Sequence, residues 1–273
     1  MKRKYMIIVL MAGALELTGC SQGTSNSAKN GTTGSENTII SESDIAILDT
    51  EDMFTERDRD TEYDESECTA ISLSDEETKC DSDGVKMDGQ TVTITEGGTY
   101  LLTGSLSNGS VVVDTDKTEK VQLILENVSI INEEGAGICV EQADKVFITL
   151  ADGSTNKIVS NSFTGNEDTN IDGAIFSRED LTLNGSGTLK ITSAAHGIVS
   201  KDDLVLTGGV YQIQSEKQGL SGKESVRIAD GTFTITSGTD AIHSEDTDED
   251  TKGFVYITGG VLTLAAGGDG ISS

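Results

Sequence analysis

The chain has 273 residues, with 47 acidic and 19 basic side chains, a net charge of −28, 31 glycines, and neither proline nor tryptophan. Nucleic-acid binding needs a basic face, so this balance excludes it. The same charge opposes direct contact with an acidic polysaccharide unless a divalent cation bridges the two, and calcium suits a chain so rich in carboxylates.

Residues 1–20 open on Met1-Lys-Arg-Lys4, continue through an apolar run and end in Leu17-Thr-Gly-Cys20. A charged start, a short apolar core and small residues before the cleavage point predict a secretory signal, too short to span as a mature helix. Leu-Thr-Gly-Cys resembles a bacterial lipobox, which implies lipidation of Cys20 and a protein held at the extracellular face of the cell envelope. Ordinary secretion is the alternative. Residues 21–83 are rich in Ser, Thr, Asn and Gly and then dense in acid, 18 acidic side chains against 4 basic. Such a segment has little to bury, and the expectation is a disordered, self-repelling tether. An exported protein can form disulfides; Cys68 and Cys80, just before the repeats, are the candidate pair, and Cys139 is left over.

From about residue 84 the chain repeats itself. Leu181–Asp203 and Leu204–Ser225 carry almost the same phrase, which returns at Val226–Gly253 and Phe254–Ser273 and more loosely at Val121–Lys145 and Val146–Asp180. A period of 22 to 23 residues without the leucine-rich pattern, built of three short alternating segments separated by Gly, Ser, Asn and Asp, predicts three strands per coil. Coils stacked in parallel at about 4.8 Å make an all-β fold, a right-handed parallel β-helix over residues 84–273. A two-sheet sandwich would not hold the turns in fixed register, and the Gly, Thr and Ser density excludes a helical solenoid. The recurring small-apolar pair predicts that Ile138, Ile175, Ile198, Leu220, Ile242 and Ile271 form one buried column. Residues 84–120 are expected to cap the N-terminal end. The sequence ends in the middle of a coil, which suggests either a longer natural protein or a frayed last coil.

Stacking turns repeat positions into columns, where chemistry can be built. The position before the small-apolar pair holds His196, Gln218, Asp240 and Asp269. Two carboxylates one strand spacing apart repel unless a cation lies between them, so Asp240 and Asp269, with Asp246 and Asp248 from the insertion Glu245–Asp250, are candidate calcium ligands. Solvated turn ends are the alternative. Asp168-Thr-Asn-Ile-Asp-Gly-Ala-Ile-Phe-Ser-Arg-Glu179 matches the EF-hand loop pattern in full, but its flanks are strands. An EF-hand is therefore rejected, and Asp168, Asn170 and Asp172 stay as an isolated-loop calcium candidate. Arg178, Lys201 and Lys223 form a basic column, each followed by an acidic residue. They are either a solvated charge ladder or contacts for uronate carboxylates. Alternation puts Tyr211 and Phe233 inside and leaves Phe147, Phe176 and Tyr256 outside as candidate sugar platforms, of which Phe176 and Tyr256 join the ligand-binding candidates.

From about Thr91 onward, Gly97-Gly-Thr-Tyr-Leu-Leu-Thr-Gly104, Val146-Phe-Ile-Thr-Leu-Ala-Asp-Gly-Ser-Thr-Asn156, Ala174-Ile-Phe-Ser-Arg-Glu-Asp-Leu-Thr-Leu-Asn-Gly-Ser-Gly187 and His196-Gly-Ile-Val-Ser-Lys-Asp-Asp-Leu204 resemble a family of bacterial surface proteins. These are calcium-binding, cellulose- and acid-sugar-binding proteins with a polysaccharide-lyase-like β-helix. The resemblance implies polysaccharide binding, bound calcium and no established catalysis, and family members often run on for further coils. The competing reading is a lyase, in which a calcium ion acidifies the C5 proton and a neutral Lys or Arg removes it. It is weakened because the acidic pair and the basic column fall in different coils and at different repeat positions. An adhesin for a protein partner is a third reading.

Overall fold

The computed structural model describes residues 50, 52–163, 170–249 and 251–273. The signal sequence, Cys20, the tether up to residue 49 and Asp168 lie outside the described residues. The fold is a parallel β-solenoid of about seven turns.

Each coil lays one strand into each of three sheets. In the coil that begins the clearest repeat, Asp180–Gly185 belongs to the first sheet, Thr188–Ser193 to the second and His196–Ser200 to the third. The next coil repeats this with Asp203–Leu206, Val210–Ser215 and Leu220–Gly222. Parallel pairing holds equivalent residues opposite one another, as in Leu181 to Leu204, Ile191 to Ile213 and Ile198 to Leu220. Antiparallel pairing occurs near the N-terminal end, where Val85–Asp88 pairs with Thr91–Ile94 at the edge of the third sheet and Ser72 bridges to Lys79.

The expected inward column is present. Ile138, Ile175, Ile198, Leu220 and Ile242 are fully buried and pair in series, with half-buried Ile271 following. Full burial of one such side chain contributes about 1.5–3 kcal/mol. Tyr211 and Phe233 stack inside, as expected, with ring centroids 4.8 Å apart. Buried serines hold the corner after the second sheet: Ser215 Oγ donates to the Lys217 carbonyl and Ser237 Oγ to the Thr239 carbonyl, both at 3.0 Å. The turn from first to second sheet needs a left-handed residue. Gly185, Gly209, Gly231 and Gly260 supply it with φ of 96°, 96°, 129° and 92°. A Cβ on Gly185 would sit 2.2 Å from the Leu150 carbonyl oxygen, so the close approach also demands glycine.

The N-terminal segment corrects the expectation of a tether running to residue 83. Thr69–Leu73 pairs in parallel with Tyr100–Gly104, adding a strand to the first sheet. Before it, residues 52–60 lie as a strap across the outer face of that sheet and include one helical turn, Glu56–Arg59, closed by a capping box between Thr55 and Asp58. Asp58 is 2% exposed and pairs with Lys145 at 2.8 Å, while Thr182 Oγ1 donates to its carboxylate at 2.7 Å. Asp58, one of the charges that would repel its neighbours in a free chain, is here given a buried partner, which acidic composition alone does not reveal.

The cysteines are also corrected. Cys68, Cys80 and Cys139 are all free: Cys68 Sγ donates to the Asp64 carbonyl at 3.2 Å, and Cys80 packs against the core. Cys139 points outward as expected but is buried.

Candidate functional site

The third sheet carries the site because its corner geometry turns three positions of every coil to one outer face. Counted from the inward aliphatic, these are two residues before, one after and three after. The first of these columns reads Ala136, Gly173, His196, Gln218, Asp240, Asp269. The second reads Cys139, Phe176, Val199, Ser221, His243, Ser272, as the strand pairing shows. The third reads Glu141, Arg178, Lys201, Lys223, Glu245.

Along this face the chemistry changes. At the N-terminal end Ala136, Cys139, Phe176 and Val199 form an outer apolar cluster, with Val112 and Ile171 packed on it. Phe176 is therefore no exposed platform: it is fully buried, with the Arg178 guanidinium 5.5 Å and the Lys201 ammonium 5.3 Å from its ring centroid. Burial among these apolar neighbours pushes the Cys139 thiol pKa well up. Past Val199 the middle column becomes Ser221 and His243, the cluster stops, and a groove of 270 Å³ opens.

Two lysines, two histidines and the carboxylate of Asp172 converge there. Lys201 Nζ is 3.6 Å from Asp172 Oδ1, and Lys223 Nζ is 3.6 Å from carboxylate oxygens of both Asp246 and Asp248. At this length the pairs are loose, and the side chains remain 38% and 47% exposed, so each ammonium keeps donors for a ligand. Arg178, by contrast, is tied to Glu141 at 2.6 Å. His196 lies 3.5 Å from Asp172 Oδ2, yet burial outweighs that carboxylate and depresses its pKa to about 4, so the ring is neutral at pH 7. Its Nδ1 and Asp172 Oδ1 are buried without a hydrogen-bond partner among the described residues. His243 Nδ1 is 2.8 Å from Ser272 Oγ and 3.3 Å from Asp240 Oδ2. Behind the lysines, burial together with the Asp180 and Glu224 carboxylates raises the Asp202 pKa to about 7.

The calcium expectation does not fit this geometry. Asp240 does not face the Asp269 carboxylate. Its Oδ1 accepts the Asp269 backbone N–H at 2.8 Å and its Oδ2 accepts Ser272 Oγ at 2.7 Å. Burial opposes its ionisation, but these hydrogen bonds and His243 prevail and hold its pKa below the usual carboxylate range. The repulsion that was to require a cation is relieved by turning one carboxylate onto the next coil. Asp246 Oδ1 likewise accepts the backbone N–H groups of Asp248 and Glu249, and Lys223 already lies beside both carboxylates. Asn170 has φ of +56°, and Asp172 faces His196 and Lys201. Among the described residues no group of three or more His, Cys, Asp or Glu is arranged to hold a metal.

The remaining aromatic candidates are covered. Phe147 is buried beneath Arg57, whose guanidinium carbon is 4.6 Å from the ring centroid, and Tyr256 is half-buried beside Phe54 at 5.9 Å. The geometry also reverses the argument from repeat position: His196, Asp240 and the lysine column occupy one face, on either side of His243. Sequence reasoning missed His243, although its place directly after Ile242 is the place of Phe176 and Val199.

Residues 88–273 match the carbohydrate-binding domain-containing protein family. The chain belongs to that family. A carbohydrate-binding domain-containing protein of Acetivibrio thermocellus is 35% identical over 137 residues, 49% of this chain and 48% of the relative. The chain thus spans about half the length of that curated relative. Among solved structures, the polysaccharide lyase-like protein from C. thermocellum, a gadolinium derivative, is 31% identical with a TM-score of 0.69, covering 75% of this chain and 94% of the other.

Proposed function

We propose that the protein is a cell-surface binder of uronate-containing polysaccharide, such as polygalacturonate, and that the third-sheet groove takes the sugar carboxylate. Family membership supports the carbohydrate; the convergence of Lys201 and Lys223 beside two imidazoles supports the acid sugar. In a molecule at −28 this is a local concentration of cationic donors, and the loose contacts leave them free to exchange an internal carboxylate for a ligand's. Neutral His196 and the Ser221 hydroxyl add the hydrogen-bonding capacity that sugar hydroxyls need. Cellulose, being uncharged, would use only these. Calcium enters this reading as a bridge between the surplus surface carboxylates and those of the glycan, and the chelator arm of the test checks it. Anchoring through lipidated Cys20 completes the proposal; labelled fatty acid should enter the wild type and not a Cys20→Ala variant.

The test is retention on polygalacturonate and on cellulose, with and without chelator, for the wild type and the Lys201→Gln, Lys223→Gln double variant. We expect the double variant to lose at least tenfold in affinity for polygalacturonate while keeping the wild-type melting temperature. Equal binding by the two proteins would remove the groove from the function. Absorbance from an unsaturated product would make the protein a lyase.

A further inference from the structure

The outer face of the first sheet also buries solvent-side residues, and the strap lies over it. Phe147, Thr182 and Asn184 touch residues 52–60, and none is more than 2% exposed. Equivalent positions on the second sheet, such as Lys190, Gln212 and Thr234, are exposed.

The polar contacts between strap and sheet have a consistent direction. Lys145 and Thr182 address the Asp58 carboxylate. Asn184 Nδ2 donates to the carbonyls of Asp58 and Asp60 at 3.2 and 3.0 Å, Thr207 Oγ1 donates to that of Asp58 at 2.6 Å, and Arg227 Nη1 donates to that of Met53 at 3.3 Å. Among the described residues the reversed contact is Arg57 Nη2 to Gln122 Oε1 at 2.7 Å. The sheet thus offers side-chain donors at successive coils and recognises the strap by its oxygens. The face also takes up the apolar side chains of Met53, which is 7% exposed, and Phe54, which lies on Tyr256. Its polar side chains read one carboxylate and the carbonyl oxygens of Met53, Asp58 and Asp60, flanked by the rings of Phe147 and Tyr256, which Arg57 and Phe54 cover.

We infer that this face is a second binding site for a carboxylated glycan, masked in cis by the strap, with Asp58 standing where a sugar carboxylate would lie against Lys145 and Thr182. The ligand class rests on the function proposed above; the masking does not. Glycan and strap compete for the same donors, so weakening the strap should strengthen binding.

The experiment uses the full chain and oligogalacturonate as probe, in the Lys201→Gln, Lys223→Gln background so that the groove contributes nothing. Asp58→Asn should raise hydrogen exchange of residues 53–60 at least tenfold and tighten oligogalacturonate binding at least tenfold. Adding Asn184→Ala should abolish that gain. Unchanged affinity despite fast exchange, or strap amides as slow in Asp58→Asn as in the wild type, overturns the inference. A gain seen only with both groove lysines present also overturns it, whereas a gain in their absence stands even if the groove binds nothing. Should Asp58→Asn fail to fold, the wild type decides: saturating oligogalacturonate must speed exchange of residues 53–60, and no change refutes the masked site.

Discussion

The first and third sheets of this solenoid are built on the same core column logic, yet their outer faces meet opposite fates. On the first, a distant acidic segment lies over Phe147, Thr182 and Asn184 and makes solvent-side groups internal. On the third, the face covers itself with Phe176 and Val199 for two coils and then opens at Ser221 and His243. Alternation therefore states which side of a strand a residue is on. It does not state whether that side meets water.

Disrupting what the two faces share should have the largest effect. Ile198→Ala removes a fully buried side chain from the common core, and we expect a loss of about 3–4 kcal/mol in urea unfolding. Breaking the strap alone comes next. Asp58→Ala strands Lys145, which is only 16% exposed; breaking a buried pair typically costs 3–5 kcal/mol, and rehydration of the freed strap should lower this to about 2–3. Protonation should act in the same sense. The folded-state pKa of Asp58 is lowered because Lys145, Thr182 and Thr55 together outweigh its desolvation, so its stabilisation is present above pH 3.8 and lost as the pH falls through the folded value. Trypsin cleavage at Arg57 or Arg59 would report the release.

The groove has two pH dependences of opposite sign. His196 is held neutral, so acid from pH 6.5 down to about 4 should cost stability, about 3 kcal/mol, and His196→Gln should flatten that limb. Asp202 binds its proton more tightly in the folded state, so its contribution is lost as the pH rises from 3.8 through about 7. Asp202→Asn should then stabilise at pH 8 by about 1 kcal/mol after solvent screening, or roughly 2–4 °C in melting temperature. The smallest effect should fall on the second sheet, where Lys157 projects into solvent; Lys157→Gln should stay within about 0.5 kcal/mol and leave glycan binding unchanged.

The solenoid was legible because each coil repeats one small-apolar pair in fixed register, and a one-residue slip would turn Ile198 and its neighbours to solvent. Lys201, Lys223 and His196 were legible as columns. Their convergence was not, because residues at different repeat positions were taken to be apart, whereas the third-sheet corner turns three positions outward together. Phe176 lies buried since Ile171, from the loop that leads into its strand, packs over its cluster. The strap gave almost no signal: Met53 and Phe54 are its only large apolar residues, and its hold is a set of hydrogen bonds to side chains far along the chain.

That distance has a consequence for the order of events in folding. Coil contacts join residues about one repeat apart, such as Ser225 to Asp203 at a separation of 22, so each coil can condense on the one before it. The strap reaches Gln122 at a separation of 65 and, through Arg227 to Met53, 174. It emerges from the ribosome before the coils do, and domains generally fold from the N-terminus, but its docking surface does not exist until the coil containing Arg227 is made. Closure of residues 52–60 thus waits on that coil, and the state of this segment reports whether the coils from Gln122 to Arg227 have stacked.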